Sequence, residues 1–71
     1  MTKPTLGSWM RKRRKELGKT QQEVSDESGI DLAQLSRYEN NKARPYVNRF
    51  WKWCAALSVD PKQVMERVSD R

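Results

Sequence analysis

The stretch TQQEVSDESGIDLAQLSRYEN, residues 20–40, decides the fold of this 71-residue chain. It has no basic residue before Arg37, although the formal net charge of the chain is +6. Thr20 followed by Glu23 is the pattern of a capping box, in which the two residues satisfy backbone N–H groups at a helix start. Gly29 lacks a Cβ and can take the positive φ that ends a helix and turns the chain sharply. The stretch therefore predicts a helix that begins after Thr20 and stops at Gly29.

A second helix start follows at once. Asp31 followed by Gln34 repeats the capping pattern in weaker form, so we expect helices at 21–28 and 32–40 joined by a tight turn. Acidic residues near these helix starts also complement the helix dipoles, which accounts for the carboxylates in a basic chain.

Apolar residues in the rest of the chain recur at spacings of three and four, which predicts helices and no strand. A first helix covers about 5–17 and is closed by Gly18. Its apolar spacing places on one face Leu6, Met10, Arg13 and Leu17.

Two more helices follow the polar loop 40–45. Pro45 suits the start of the fourth helix, and Asp60 before Pro61 is the pattern of an N-cap with proline in the first turn of the fifth. The apolar arc of the fourth helix contains Val47, Phe50, Trp53, Cys54 and Leu57. The buried stripe of the fifth contains Val64, Met65 and Val68.

Length and composition limit the classes of function. We expect one domain over 1–71, with an ordered core at about 5–68 that buries roughly 60% of the unfolded surface. One cysteine and no histidine argue against a disulfide framework, a metal site or another cofactor within a single chain. No catalytic motif is present, so we expect no enzyme. No apolar run approaches the roughly 18 to 20 residues of a membrane span, so we expect a cytoplasmic protein.

Charge is distributed in three blocks. Basic residues dominate 3–19 and 37–52 and flank the acidic segment 23–31. A sequence pI near 9.9 favours an anionic partner, which leaves nucleic acid, an acidic membrane surface or an acidic protein. Charge alone does not choose among them.

The spacing around the predicted turn resembles that of the Xre-like family of phage repressors and Cro proteins. The matching residues are Gln21, Val24, Ser25, Gly29, Ile30, Leu35 and Glu39. The similarity extends from about residue 6 to 68 and implies a compact all-α, five-helix, lambda-repressor-like DNA-binding domain, with helices two and three as the helix-turn-helix. Ser25 and Asn41 depart from the usual alanine and glycine of that family. The serine adds a hydroxyl that needs a partner, whereas asparagine tolerates a left-handed turn.

The helix at 32–40 has a polar, uncluttered face of the kind that enters a major groove. Arg37 can donate two hydrogen bonds to guanine, Leu32 and Ala33 can contact thymine methyl groups, and Gln34 can read adenine or touch phosphate. The base-reading candidates are therefore Leu32, Ala33, Gln34, Ser36 and Arg37. An ordinary solvated helix face is the alternative interpretation. Asp31 also has an alternative to capping, because its carboxylate can accept a hydrogen bond from a cytosine amino group.

Other residues are expected to position the protein on the duplex. The resemblance implies a phosphate contact for Gln21 at the start of helix two, where backbone amides point at the same anion. The loop after helix three offers further phosphate-binding candidates, with a plain polar loop as the alternative. They are Asn40, Lys42 and Arg44. The resemblance also implies a partly buried ion pair between Arg14 and Glu39 that fixes helix one against the recognition helix.

Family resemblance further implies a two-fold dimer on a pseudo-palindromic operator in double-stranded DNA. Trp51 is the candidate dimer contact, with packing against helix five as the alternative. The resemblance therefore implies a sequence-specific transcriptional regulator, a repressor of the Cro or phage-repressor type. It also implies a bacterial or phage-infected cell, in which the protein is associated with the nucleoid. Two other functions stay open. One is an antitoxin-like module that neutralises a partner protein and regulates its own operon; the other is adhesion of residues 11–15 to an anionic membrane, which the lack of a free apolar face on helix one disfavours.

Overall fold

The computed structural model describes residues 2–69, and within that range the chain forms five α-helices and no strand. They are α1 (Leu6–Glu16), α2 (Gln21–Ser28), α3 (Leu32–Glu39), α4 (Val47–Ala56) and α5 (Pro61–Arg67). The all-α, five-helix prediction is confirmed, and the predicted bounds of the first three helices are right to within one residue. Residues 1, 70 and 71 of the predicted domain lie outside the described residues.

The start and end of α2 form as the sequence predicts. The backbone N–H of Glu23 donates to the Thr20 hydroxyl (3.1 Å), and the backbone N–H of Thr20 donates to the Glu23 carboxylate (2.9 Å). The second of these bonds is the main reason that the pKa of Glu23 lies below its ordinary value. Gly29 ends the helix with a φ of 75°, which only glycine adopts without steric cost.

The turn between α2 and α3 is closed by small and apolar residues. Val24 and Leu35 are fully buried, and Ile30 turns inward with 3% of its surface exposed. The Ser25 hydroxyl donates to the carbonyl of Ile30, so it has the hydrogen-bond partner that its departure from alanine requires. The two helices therefore pack as a helix-turn-helix.

The capping prediction for α3 is wrong in its detail. Asp31 occupies the N-cap position, but its side chain makes no capping hydrogen bond. Its φ and ψ of −55° and 138° depart from the N-cap geometry of α2, where Thr20 is at −83° and 163°. The pattern of Asp31 followed by Gln34 therefore predicts where the helix starts, but it does not predict the orientation of the Asp31 carboxylate.

The core lies between α4 and the helix-turn-helix. Trp53 is fully buried on α4, and its ring lies 5.7 Å from that of Tyr38 on α3, measured between centroids. Met10 of α1 and Leu57, which follows α4, are also among the largest fully buried side chains. Cys54 is also fully buried, and burial raises the pKa of its thiol to about 12, so it acts as a small neutral core residue.

Three residues of the predicted apolar faces are exposed. Leu17 at the end of α1 is 36% exposed, Val47 on α4 is 71% exposed and Met65 on α5 is 53% exposed, so none of the three belongs to the core. A helical wheel shows which residues share a face, but it does not show where the neighbouring element ends. The helix α4 begins at Val47, two residues after Pro45, and Tyr46 is its N-cap.

Two cations from the first part of the chain bind the C-terminal end of α4. Lys19 Nζ donates to the carbonyl of Ala56 (2.9 Å), and Arg13 Nε donates to that of Leu57 (3.2 Å). A helix C-terminus carries unpaired carbonyls and partial negative charge, so these bonds stabilise it. They also explain the arginine in an apolar position of α1, because its half-buried stem lies along the edge of the core.

A close approach of backbone atoms joins α1 to the end of α3. A Cβ built on Gly7 would lie 2.4 Å from the carbonyl oxygen of Tyr38 and 2.6 Å from that of Glu39. Such distances are shorter than side chains tolerate, so the contact requires glycine although α1 is an ordinary helix there. The sequence pattern did not indicate this role.

We expect Gly7→Ala to lower the free energy of unfolding by about 1–3 kcal/mol, because the added methyl group forces α1 away from α3. In a helix without such a contact, replacing glycine by alanine raises the free energy of unfolding by up to about 1 kcal/mol. The sign of the change therefore tests the contact by itself. Urea unfolding followed by circular dichroism measures the effect. Ser8→Ala, at the exposed neighbouring position, is the matched control and should change stability by less than about 0.5 kcal/mol. Equal unfolding midpoints for the two variants would contradict the close-contact interpretation.

Candidate nucleic-acid interface

The candidate interface is built around the outer face of α3, by which we mean Leu32, Ala33, Gln34, Ser36 and Arg37. Leu32, Ala33 and Arg37 are exposed, and Gln34 and Ser36 are half-buried. The opposite side of the helix enters the core through Leu35 and Tyr38. The structure therefore places the five predicted base-reading residues together on one side of a helix whose other side is held.

Glu39 at the end of α3 is the centre of a buried hydrogen-bond network. Its side chain is fully buried, and its two oxygens accept from Arg14 Nε at 2.7 Å and Arg14 Nη2 at 3.2 Å. The remaining guanidinium nitrogen, Nη1, donates to the carbonyl of Lys19 (2.9 Å). The predicted Arg14–Glu39 ion pair thus forms with a bidentate geometry, which fixes orientation as well as distance.

Gln21 joins the same network from the first position of α2. Its Nε2 donates to Glu39 Oε1 at 3.0 Å, so α1, α2 and α3 meet at one carboxylate. The side chain is half-buried, which leaves the amide at the edge of the domain, beside the N-terminus of α2. That position suits a phosphate contact, because the first backbone N–H groups of a helix attract anions.

Among the loop candidates after α3, Asn40 has a side chain that is bound within the domain. Asn40 Nδ2 donates to the carbonyl of Ser36 (2.9 Å), which ties its side chain back onto α3. Lys42 and Arg44 have exposed side chains. The loop therefore presents cations directly after the recognition helix, as the charge pattern predicts.

Acidic side chains lie on α2, away from the outer face of α3. Glu27 accepts from Lys19 Nζ at 2.6 Å, and Asp26 accepts from Gln22 Nε2 at 3.0 Å. Both acids are exposed. The acidic side chains of α2 thus lie apart from the exposed cations that follow α3, which polarises the surface.

The sequence did not predict the side-chain contacts that Asn41 makes next to the interface. Asn41 takes a φ of 59°, as its departure from glycine predicts, but its side chain also bonds to the start of α1. Oδ1 accepts from Gly7 N (3.1 Å) and Nδ2 donates to Thr5 Oγ1 (2.9 Å). No local pattern links residues so far apart in sequence.

Within residues 2–69, no helix is long and apolar enough to cross a membrane. The same part of the chain contains no group of three or more histidine, cysteine or carboxylate side chains arranged to hold a metal ion.

The sequence model of the helix-turn-helix family matches residues 10–64, which is more than half of the chain. No curated protein sequence gives a significant match.

Several solved structures share the fold. The DNA-binding domain of the P22 c2 repressor superposes with a TM-score of 0.85 at 23% identity, covering 92% of this chain and 86% of that one. SinR, the master regulator for biofilm formation, known from Bacillus subtilis and solved in complex with DNA, has a TM-score of 0.80 at 26% identity, covering 86% and 98%. The restriction-modification controller protein C.AhdI of Aeromonas hydrophila has a TM-score of 0.80 at 22% identity, covering 83% and 89%.

The buried ion pair leads to a prediction about stability. Removing one partner of such a pair leaves an unpaired buried charge, so Arg14→Gln or Glu39→Gln alone should cost about 3–5 kcal/mol. The double variant should cost less than the sum, with a coupling energy above about 1 kcal/mol. Urea unfolding of the native protein, the two single variants and the double variant gives the four free energies of the double-mutant cycle. Sucrose is added to all four samples because it favours the folded state.

The Lys19–Glu27 ion pair is the matched control. Its side chains are 26% and 46% exposed, so its coupling energy should stay below about 1 kcal/mol. A coupling at Arg14–Glu39 no larger than that of this surface pair would remove the role assigned to the buried network.

Proposed function

The chain belongs to the Xre-like helix-turn-helix family, and we propose that it is a sequence-specific transcriptional regulator that binds double-stranded DNA through the outer face of α3. In this proposal residues 1–71 act as one DNA-binding domain that catalyses no reaction. It represses transcription by occupying an operator and excluding the polymerase.

The observation that carries the proposal is the way α3 is held. Its end is fixed to α1 and α2 through the buried Glu39 carboxylate, whereas Leu32, Ala33 and Arg37 on its outer face are exposed. A helix that is rigid on one side and uncluttered on the other is what readout of base edges in a major groove requires.

The proposed base contacts follow from side-chain chemistry. Arg37 is exposed and supplies a planar donor pair for O6 and N7 of guanine. Leu32, 38% exposed, and Ala33 supply apolar contacts for thymine methyl groups, and Gln34 and Ser36 supply hydrogen-bonding groups. Asp31 lacks a capping bond, which leaves its carboxylate available to a cytosine amino group.

The proposed phosphate contacts flank that face. Gln21 lies at the start of α2, and Asn40, Lys42 and Arg44 follow the end of α3. Contacts on both sides of a recognition helix fix its register in the groove without reading sequence. The Gln21 bond to Glu39 supports its assignment, because it orients the amide before DNA arrives.

We propose that the protein binds as a homodimer through α4. Trp51 is 61% exposed and lies one helical turn from Val47, which is 71% exposed, so packing against α5 does not account for it. The chain is 33 Å in its longest dimension. Two copies in direct contact can therefore present recognition helices one DNA turn, about 34 Å, apart.

The same exposed surface favours a second candidate function. Tyr46, which is 82% exposed, extends the apolar surface around Val47 and Trp51. A patch of this kind also suits a different protein partner, as in an antitoxin that neutralises its toxin and regulates its own operon. Self-association of the purified chain distinguishes the two.

Selection from randomised duplex DNA at about 0.15 M salt, where weak non-specific contacts are screened, is the direct test. We expect a two-fold symmetric motif with half-sites about one helical turn apart. Trp51→Ala should return a half-site or bind more weakly, whereas Leu17→Ala, at an exposed apolar residue on α1, should return the full motif. Failure of the folded native protein to enrich any motif would refute the proposed function and favour the protein-interaction candidate.

Arg37→Ala and Lys42→Ala separate reading from positioning. We expect Arg37→Ala to lose about 1–3 kcal/mol of binding free energy on the selected site and to relax the preference at one base pair. Lys42→Ala should weaken binding to selected and random DNA nearly equally, because a phosphate contact carries no sequence information. Fluorescence anisotropy titrations on both DNAs measure the losses. Equal losses for both variants on both DNAs would remove the assignment of Arg37 as a base reader.

A further inference from the structure

The turn that ends α3 has a backbone pattern that requires no side chain. The N–H groups of Asn41 and Lys42 both donate back to the last turn of α3, at 3.2 and 2.9 Å. In this Schellman pattern the left-handed residue is usually glycine, and Asn41 takes that place with a φ of 59°. The same pattern ends α1 with Gly18 and α4 with Ser58. The turn itself therefore does not explain the asparagine side chain.

That side chain completes the N-terminus of α1. Its Oδ1 accepts from the backbone N–H of Gly7 at 3.1 Å, one of the N–H groups that a helix start leaves unpaired. Its Nδ2 donates at 2.9 Å to the Thr5 hydroxyl, which in turn caps the N–H of Ser8 at 3.2 Å. Both functional groups of the Asn41 amide are thus used, across more than thirty residues of sequence.

The result is a second anchor for the end of α3. Glu39 binds Arg14 near the C-terminus of α1, and Asn41 binds Gly7 at its N-terminus. At about 1.5 Å of rise per residue these two points on α1 lie about 10 Å apart. One anchor would leave the end of α3 free to pivot, whereas two separated anchors fix the direction in which the chain leaves it.

We propose that Asn41 is a positioning residue for DNA binding, which holds Lys42 in the orientation that meets a phosphate. This inference rests on the proposed function, because it concerns how the phosphate contact is made. The asparagine touches no DNA itself and acts by removing the freedom of the loop before binding, so that less ordering entropy is lost in the complex.

The test variant is Asn41→Gly, which keeps the left-handed turn and deletes only the side-chain bonds. Ser58→Gly makes the same change at the same position of the turn after α4 and is the matched control for the flexibility of glycine. We expect Asn41→Gly to lower affinity for the selected operator three- to tenfold and to reduce by about one the slope of log K against log salt, since one phosphate contact is weakened. Ser58→Gly should leave the slope unchanged.

Coupling to Lys42 distinguishes positioning from simple loss of stability. Lys42→Ala should have little further effect on affinity in the Asn41→Gly background, because the contact is already weakened. An unchanged salt slope together with full additivity of the two substitutions would overturn the proposal and leave Asn41 as a purely structural residue. Should Asn41→Gly fail to fold, Thr5→Val, which removes the acceptor of the Asn41 amide, takes its place in the same titrations.

A measurement without DNA keeps this inference separate from the proposed function. Hydrogen exchange should become faster at the Lys42 amide in Asn41→Gly and stay unchanged there in Ser58→Gly. If the native protein binds no DNA, the proposed function fails and the positioning role fails with it, whatever the exchange rates. If it binds and the exchange rate is the same in both variants, the function stands and the positioning role is overturned.

Discussion

The structure depends on one buried carboxylate. Glu39 has a fully buried side chain, and a buried charge is strongly unfavourable unless it is paired and hydrogen-bonded. Arg14 and Gln21 together donate three hydrogen bonds to it. Helices α1, α2 and α3 therefore cannot separate at this point without leaving a charge unpaired. Because Glu39 ends the recognition helix, the same network that holds the fold together also fixes the helix that we propose for base reading.

The positive charge of the chain is divided between internal and external uses. Arg14 is buried in the network, and Arg13 and Lys19 bind carbonyl groups at the end of α4. The cations with exposed side chains, Arg37 and Lys42 among them, remain for a duplex. Net charge alone therefore overstates the surface that is available for an anionic partner, since long side chains reach carbonyls that are distant in sequence.

The sequence predicts well those structural features that depend only on neighbouring residues. The capping box at Thr20 and the left-handed turn at Gly29 depend only on residues within a few positions, and both form as expected. The ion pair and the position of Gln21 came from family resemblance, and the outer face of α3 came from helical periodicity. These features make up most of the candidate site.

What the sequence does not predict depends on contacts between distant elements. The wheel assigned Val47 to the core because it shares an arc with buried neighbours, yet no element covers it. The need for glycine at position 7 follows from carbonyls of α3 more than thirty residues away. Asp31 was assigned as a cap from its spacing to Gln34, but its side chain makes no capping hydrogen bond. The spacing of residue types does not specify the orientation of a side chain.

Helix α4 connects the exposed apolar surface to the recognition helix. One of its faces carries Trp51, which is 61% exposed, and another carries Trp53, whose ring contacts Tyr38 of α3. A second copy docked on α4 therefore lies one packed helix away from the helix that we propose for base reading. If dimerisation in that arrangement changes the affinity for DNA, DNA binding must change the affinity of dimerisation by the same factor, because binding free energies are linked reciprocally.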